Sequence, residues 1–302
     1  MIRSGLFARP GAPARADRSA AAARWIGRAG SLLAGLLIAG GTAPAAQAGE
    51  SAPVALQGAQ VRLMSGTTTG ATVSAGLEIR LAPHWKTYWR YPGDAGVPLV
   101  LSWKGSHNVA GVTMDWPAPR RFSDGAGVTS IGYKGTVLFP LAVTLADPKA
   151  PARLHLMVDF AVCEALCLPA QAEFSLVLDG KDDAEADALI AKARASVPAP
   201  AALGGDQAPA ITAVNVDRAQ SPPELVVEAR VSNPMADLFV EGPTPRWALP
   251  LPKKTALPGG AARFTIPLDG APAGASFEGA RLTLTLVDPP KAISVSDVVK
   301  GP

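Results

Sequence analysis

The sequence predicts an all-β protein of two antiparallel β-sandwich domains, with one short helix ahead of the linker between them. Segments in which apolar and polar residues alternate dominate both halves of the chain, and Gly, Pro and Asp separate them. One segment has the composition of a helix, and a stretch rich in Pro, Ala and Gly follows it. Half-buried strands at such short spacing are typical of a β-sandwich.

The first 48 residues are predicted to be a signal peptide. They hold six arginines and one acidic residue, then the apolar run SLLAGLLIAGG and the small residues APAAQAGE. A basic start, a short apolar core and a small-x-small motif are the parts of a secretory signal, and we place the cleavage after Ala48. The run is shorter than the roughly 20 residues that cross a bilayer. We therefore expect a soluble mature protein in an oxidising compartment, where disulfides persist.

The basic charge of the chain lies mostly in this leader. The formal charge is +3 for the whole chain, and the leader contributes +5, which leaves −2 for the rest. No basic patch interleaved with aromatic residues remains after the leader. The sequence therefore excludes a nucleic-acid-binding protein.

Five segments between residue 54 and the helix are predicted to be strands. They are VALQGAQVRLMSG, TVSAGLEIRLA, TVLFPLAVTLA, RLHLMVDFAV and AEFSLVLDG. In RLHLMVDFAV every second residue from Leu154 to Val162 is apolar, Phe160 included, whereas His155 and Asp159 alternate with them. This pattern places one face of the strand in a core and the other in solvent.

The segment DDAEADALIAKARAS, residues 182–196, is predicted to be the helix. Asp182 or Asp183 suits the N-cap, and the basic residues come late, where they complement the helix dipole. The following VPAPAALGGDQAP is interpreted as a linker. Beyond it lie six further predicted strands: AITAVNVD, ELVVEARVS, DLFVEG, ARFTIPLD, RLTLTLVD and AISVSDVV. We therefore expect domains over 49–200 and 208–302.

The two cysteines of the chain, Cys163 and Cys167, stand four positions apart. Four extended residues would separate their α-carbons by roughly 13 Å, which is beyond disulfide reach. Across a hairpin, opposing α-carbons lie about 4.5 to 5.5 Å apart, which a disulfide accepts. A bridge is therefore feasible only where Glu164, Ala165 and Leu166 form a tight turn.

The spacing alone leaves three roles open for this pair. A bridge that closes about five residues stabilises a fold by only roughly 2 kcal/mol, against about 4.7 kcal/mol for a hundred-residue loop. A small ring is also easier to reduce, so a redox role is favoured over a structural disulfide. Binding of Cu(I) would need further ligands. The histidines His84, His107 and His155 are scattered, and we predict neither a metal site nor a cofactor.

Three longer segments resemble a known family. HWKTYWRYPGDAGVP (84–98), WPAPRRFSDGAGVTSIGYKGTVLFPL (116–141) and VCEALCLPA (162–170) are similar to the N-terminal periplasmic domain of the DsbD/ScsB thiol:disulfide interchange proteins. The second half, with LFVEG and LTLTLVDPPKAIS, resembles the segment that follows that domain in the ScsB-like branch. The resemblance implies immunoglobulin-like sandwiches and a catalytic hairpin inserted in the first one.

The resemblance also implies roles for individual residues. Cys163 and Cys167 become the redox pair, with Cys167 as the thiol that forms mixed disulfides and Pro169 as part of the pattern, and Phe160 is taken as a supporting residue. A cap loop that shields the pair corresponds to FSDGAGVTSIGY (122–133), which is rich in glycine. Its candidate shielding residues are Phe122, Asp124 and Tyr133. The same loop in DsbD offers an aromatic beside acidic residues, so this loop departs from the family pattern.

The aromatic residues Trp85, Tyr88, Trp89 and Tyr91 are open to two interpretations. They could form a surface on which a partner docks. The general tendency of aromatic side chains to be buried favours a place in the sandwich core for most of them.

The function predicted on these grounds is an exported thiol–disulfide oxidoreductase that relays electrons. Its partners would be periplasmic thiol–disulfide proteins and a separate membrane-embedded electron donor, because the chain shows no membrane helices or thioredoxin-like domain of its own. A non-catalytic two-domain binding module with a structural disulfide is the first alternative. A copper-handling protein is the second, prompted by the association of the ScsB branch with copper tolerance.

Overall fold

The structure is a computed structural model that describes residues 49–123, 127–179 and 183–299. The predicted leader and Asp124 lie outside these ranges. The described residues fall within one compact unit. They form strands and one helix, which confirms the predicted all-β class with immunoglobulin-like sandwiches.

The strands ahead of the helix form two antiparallel sheets. The first has the order β1-β2-β3-β9-β6, and the second has the order β11-β10-β4-β8-β7, with β5 paired to β10. The strands are β1 (Val54–Leu56), β2 (Ala59–Thr69), β3 (Thr72–Leu81), β4 (Lys86–Gly93), β5 (Val100–Ser102), β6 (Val109–Met114), β7 (Arg120–Ser123), β8 (Thr129–Lys134), β9 (Thr136–Leu145), β10 (Ala152–Cys163) and β11 (Cys167–Leu178).

The core of this first sandwich follows from the alternation along its strands. In β10, Leu154, Leu156 and Val158 are buried, while Arg153 and Asp159, which flank them, are exposed. Equivalent residues of β2, β3, β9 and β11 fill the same core. Every second side chain of these strands thus points at the facing sheet, as expected for half-buried strands.

The helix α1 (Ala184–Arg194) packs on the outside of the first sheet. Asp183 is its N-cap, because its side chain accepts from the backbone N–H groups of Glu185 and Ala186. Ile190 is buried together with Met64 and Leu138 of the sheet. The predicted helix is confirmed, and each of its ends lies two residues inside the predicted one.

The strands after the helix form a second sandwich of two four-stranded sheets. Their orders are β12-β19-β18-β15 and β13-β14-β17-β16. The strands are β12 (Ala199–Pro200), β13 (Ala210–Asp217), β14 (Glu224–Arg230), β15 (Asp237–Glu241), β16 (Lys253–Leu257), β17 (Ala261–Pro267), β18 (Arg281–Asp288) and β19 (Lys291–Val298). Its core is separate and includes Leu225, Phe264 and Leu284.

The segment interpreted as a linker is partly a strand. Its residues Ala199–Pro200 pair in parallel with β19 and form the edge of a sheet. An edge is the place where proline is tolerated, because it has no backbone N–H to donate. The chain therefore enters the second sandwich before the predicted boundary at residue 200, while the domain division itself remains a prediction.

The two sandwiches meet at a junction of aromatic and charged side chains. Trp89 of β4 meets Phe239 of β15 edge to face, at 5.8 Å between ring centroids. Arg90 donates two hydrogen bonds of 2.7 Å to Glu241. Arg121 donates 2.8 and 2.9 Å bonds to Asp237. Both pairs are bidentate, which is the strongest arrangement for an arginine and a carboxylate.

Candidate functional site: the disulfide hairpin

The two cysteines close the hairpin of β10 and β11. The strands pair without a break from Ala152 with Leu178 to Cys163 with Cys167. Residues 164–166 form the connecting loop, so the turn that the bridge requires is present. The two cysteine α-carbons lie 4.1 Å apart, and the sulfur atoms form a disulfide. In non-hydrogen-bonded pairs of antiparallel strands, opposing α-carbons lie about 4.5 Å apart, so the cysteines are slightly closer than this spacing.

The two sulfur-bearing residues differ in exposure. Cys163 is only 6% exposed, because it ends a strand that has β4 on its other side. Cys167 is exposed, and Leu166 before it is 75% exposed. An incoming thiolate or disulfide can therefore approach Cys167 from solvent, whereas Cys163 is covered.

The register of the sheet shows which side chains share the face of the disulfide. Cys163 pairs with Lys86, and Lys86 pairs with Lys134. Directly paired residues point to the same side of a sheet. Every second residue of β4 also shares it, so Tyr88 lies on this side. We call this side of the second sheet the outer face, since Trp89, on the opposite side, fills the core.

Tyr88 is the side chain that meets the disulfide. Its hydroxyl oxygen lies 3.0 Å from Cys167 Sγ, and the residue is 1% exposed. It packs in a small cluster with Ala161 and Cys163. Gly96, at φ 139°, covers the ring, and a Cβ at this position would collide with it. A buried hydroxyl is thus fixed beside the more exposed sulfur.

The end of β4 is held against β10 at the same point. Thr87 donates a 2.9 Å hydrogen bond to the carbonyl oxygen of Ala161, and its side chain is fully buried. Lys86 is 6% exposed although it carries a charge. The two-residue period of a strand would place Lys86 and Tyr88 of KTYWRY on one face. Only the pairing of β4 with β10 reveals that this face carries the cysteines.

Of the three predicted shielding residues, Asp124 lies outside the described ranges, Tyr133 points away from the outer face, and Phe122 contacts Lys134. Tyr133 is buried in the core, where its hydroxyl donates a 2.8 Å bond to Pro117 O and its ring meets Phe139 edge to face. It pairs with Thr87, one position from the residues of the outer face, so it points to the other side of the sheet. Phe122 lies under the ammonium group of Lys134, 4.8 Å from it.

The two supporting residues occupy opposite sides of β10 and β11. Phe160 is 3% exposed and belongs to the core of the first sandwich. Pro169 is exposed and pairs with Ala161, two residues beyond Cys167. Since β11 is the edge strand of its sheet, a proline there removes no ladder hydrogen bond that the sheet needs.

The aromatic residues of β4 lie in three different environments. Trp89 is fully buried in the core, and Tyr91 reaches the junction, where its hydroxyl donates to Leu249 O. Tyr88 is buried on the outer face. Burial raises the pKa of Tyr91 to about 12, with smaller contributions from the charges of Asp94 and Glu241. Burial likewise raises the pKa of Tyr133 well above its usual value.

Across the described ranges, no group of three or more His, Cys, Asp or Glu side chains is arranged to hold a metal ion. The helix that these ranges contain is too short and too polar to cross a membrane.

The hairpin and its sheet match a known family. The model of the N-terminal region of the thiol:disulfide interchange protein DsbD matches residues 54–179, which include both cysteines and Tyr88. These residues form a DsbD N-terminal domain. The second sandwich lies beyond the matched range.

A solved structure has the same fold over a longer range. The N-terminal periplasmic domain of ScsB from Proteus mirabilis superposes with a TM-score of 0.67 and 24% sequence identity, over 84% of this chain and the whole of that one. At this identity the likeness shows a shared fold. Among curated proteins no sequence matches the chain. A DsbD N-terminal domain with a ScsB-like fold accounts for both the disulfide hairpin and the sandwich behind it.

Proposed function

We propose that this protein exchanges disulfides with partner proteins in the periplasm through Cys163 and Cys167. The observation that carries the proposal is the disulfide at the tip of the hairpin, with Cys167 exposed and the Tyr88 hydroxyl 3.0 Å from its sulfur. The match to the DsbD N-terminal family supports the same chemistry. Partners would be thiol–disulfide proteins, with a separate membrane-embedded protein as the source of electrons.

The exchange proceeds in two balanced steps. In the reduced protein the Cys167 thiolate attacks one sulfur of a partner disulfide, forms a mixed disulfide and releases a partner thiolate. The Cys163 thiolate then attacks Cys167 Sγ, breaks the mixed disulfide and releases the second partner thiolate. The Cys163–Cys167 bond is thereby formed, and the partner gains two electrons, with protons taken up by its thiolates.

Tyr88 has a specific part in this proposal. When Cys167 is reduced, the hydroxyl that lies against its sulfur can donate a hydrogen bond to the thiolate. Hydrogen bonds to an ionised acceptor are shorter and roughly twice as strong as neutral ones. Tyr88 would thus stabilise Cys167 both as an attacking thiolate and as a leaving group.

Single-cysteine variants test the assigned roles. Cys163→Ala leaves the exposed sulfur and removes the residue that resolves a mixed disulfide, so it should accumulate partner proteins on non-reducing gels. Cys167→Ala leaves only the covered sulfur and should capture few. The converse pattern, at equal expression and folding, would show that the two roles are reversed.

A redox titration separates the proposal from a structural disulfide. Equilibration with glutathione should give a potential above about −300 mV, the limit below which structural disulfides resist reduction. A lower potential would leave the alternative of a two-domain binding module held by a local disulfide. That alternative also expects Cys163→Ser with Cys167→Ser to retain partner binding.

The export of the protein is part of the proposal. Cleavage after Ala48 would begin the mature chain at Gly49, whose carbonyl accepts a 2.7 Å hydrogen bond from Ser65 N. N-terminal sequencing of protein from the periplasmic fraction should therefore start Gly-Glu-Ser-Ala. A chain of full length in the cytoplasmic fraction would contradict export.

A further inference from the structure

Two neighbouring cavities form one groove on the flank of the DsbD N-terminal domain. The first, of about 520 Å³, lies between α1 and the strands β7, β8 and β9. The second, of about 600 Å³, lies between β7 and the β15 and β18–β19 region of the second sandwich. Both are lined by Ala118, Arg120 and Ser196, so these three residues join them.

The groove carries cations without carboxylate partners. Arg120, Lys134 and Lys192 line the first cavity, and Arg120 and Lys291 line the second. All four side chains are exposed, and none forms an ion pair with a residue in the described part of the chain. Lys134 is held in place over the ring of Phe122.

The carboxylates that line the groove are already neutralised. Among the described lining residues these are Glu78 and Asp237. Glu78 pairs with Arg62 at 2.9 Å and with Arg80 at 3.0 Å. Asp237 accepts two hydrogen bonds from Arg121. The described lining of the groove is therefore electropositive, although the chain after the leader has a net negative charge.

The groove also lies close to the disulfide. Lys134 pairs with Lys86, and Lys86 pairs with Cys163, so two strand spacings separate the backbone of Lys134 from that of Cys163. Strands lie about 4.8 Å apart, which makes this distance about 10 Å. A protein whose disulfide meets Cys167 would extend over the groove at the same time.

We propose that the groove binds an extended acidic segment of the protein that exchanges disulfides at Cys167. The inference rests on the proposed function. Charge complementarity identifies the occupant, because four unpaired cations along a groove attract carboxylates, steer the encounter and fix its orientation. The elongated shape of two joined cavities fits an extended chain.

A binding assay tests the groove without the cysteines. The probe is a fluorescein-labelled peptide of alternating Glu and Ser, about ten residues long and thus about 33 Å when extended. Its control has Gln in place of Glu. The protein is the mature chain with Cys163→Ser and Cys167→Ser, so binding is independent of redox chemistry. The acidic peptide should bind and the Gln peptide should not. Binding of the acidic peptide should weaken as the salt concentration rises from about 20 to about 300 mM.

Charge reversal locates the binding. Arg120→Glu with Lys134→Glu should weaken binding of the acidic peptide about tenfold or more, since it places two repulsive charges in the groove. Lys104→Glu with Lys149→Glu changes the net charge equally at two exposed positions outside the groove and should change binding less than about twofold. Equal losses in both variants, or equal binding of both peptides, would overturn the proposal. Should the reversed protein fail to fold, Arg120→Gln with Lys134→Gln replaces it.

The exchange rate connects the groove to the disulfide. Two disulfide-bridged peptides with the same cysteine segment, one with the acidic tail and one with the Gln tail, are compared as substrates of the reduced protein. The acidic tail should speed exchange about tenfold, and Arg120→Glu with Lys134→Glu should remove that advantage.

Slow exchange with both substrates, while the acidic peptide still binds, would reject the proposed function but keep the groove. Sedimentation as a dimer that the reversal dissociates would assign the groove to a second copy and overturn the proposal.

Discussion

The tip of the hairpin and the junction between the two sandwiches are held in opposite ways. At the hairpin a disulfide joins two residues four positions apart. One of them, Cys167, is exposed, and so is Leu166 before it. At the junction no covalent bond is present, yet Arg90 and Arg121 reach carboxylates 151 and 116 residues away in the sequence. The disulfide thus closes a very small loop, whereas the contacts between distant parts of the sequence are hydrogen-bonded ion pairs.

This difference separates chemistry from stability. A disulfide stabilises a fold mainly through the length of the loop that it closes, and a five-residue ring contributes little. Bidentate ion pairs between distant strands restrict far more of the chain. The disulfide of the hairpin can therefore be reduced and re-formed while the contacts of the junction stay in place.

The largest expected effect comes from removing both sulfur atoms. Cys163→Ser with Cys167→Ser should abolish thiol–disulfide exchange, while the free energy of unfolding falls by no more than about 2 kcal/mol. Exchange is followed with oxidised glutathione, and stability by urea denaturation of the oxidised wild-type protein beside the variant. A loss of stability several times larger would show that the hairpin bond supports the fold.

The junction should show the reverse behaviour. Arg90→Ala leaves Glu241 without its partner, which should lower the free energy of unfolding by about 2 kcal/mol. Arg153→Ala is the control, because the side-chain hydrogen bond that it forms within the described residues, to Ser175, is exposed and 3.4 Å long. Its cost should stay below about 0.5 kcal/mol.

A double-mutant cycle with Glu241→Ala then isolates the pair. The cycle should show coupling between Arg90 and Glu241, while the exchange rate stays within about twofold of the wild type. Independent effects of the two substitutions would contradict the assigned role of this pair.

A smaller effect is expected at Tyr88. Tyr88→Phe removes the hydroxyl beside Cys167 and keeps the ring under Gly96, so alkylation of the reduced protein at neutral pH should slow by roughly threefold to tenfold. The pH dependence of the iodoacetamide reaction provides the measurement, and it should move to higher pH. Tyr91→Phe, which changes a hydroxyl at the junction, should leave this profile in place. An unchanged profile for Tyr88→Phe would remove Tyr88 from the mechanism.

The smallest effect concerns alkaline pH. Because burial raises the pKa of Tyr91 to about 12, the folded protein keeps this proton where the unfolded chain has already lost it. The resulting contribution to stability is complete below about pH 10. It declines as the pH rises from there towards 12, since ionisation favours the unfolded state. Denaturation midpoints at increasing pH should fall more steeply for the wild type than for Tyr91→Phe.

The sequence predicts those parts of the fold that repeat a simple period. Eleven predicted strand segments and the helix coincide with elements of the structure, since alternation and capping are local signals. The strands β4 to β8 carry weaker signals. Gly or Pro interrupts β4, β6 and β8, while β5 and β7 are only three and four residues long. In β4 the residues Lys86 to Tyr91 show little alternation in polarity. Their places in the sheet depend on contacts with distant strands.

The site follows the same division. The cysteines and the turn between them are visible in the sequence because all of that geometry is local. Tyr88 is 79 positions from Cys167, and Lys86 is brought to Cys163 only by pairing of β4 with β10. Tyr133 shows the limit of such local signals. Its place at the end of a glycine-rich loop suggested a shield, but the strand period turns it into the core.

The direct pairing of Cys163 with Cys167 has a consequence for recognition. The strands are already aligned at this position, so the backbone needs no rearrangement when the bond between the sulfur atoms breaks or forms. We therefore expect the oxidised and reduced proteins to differ in shape mainly at the tip of the hairpin. A partner protein that distinguishes the oxidised from the reduced state would therefore have to contact the tip of the hairpin.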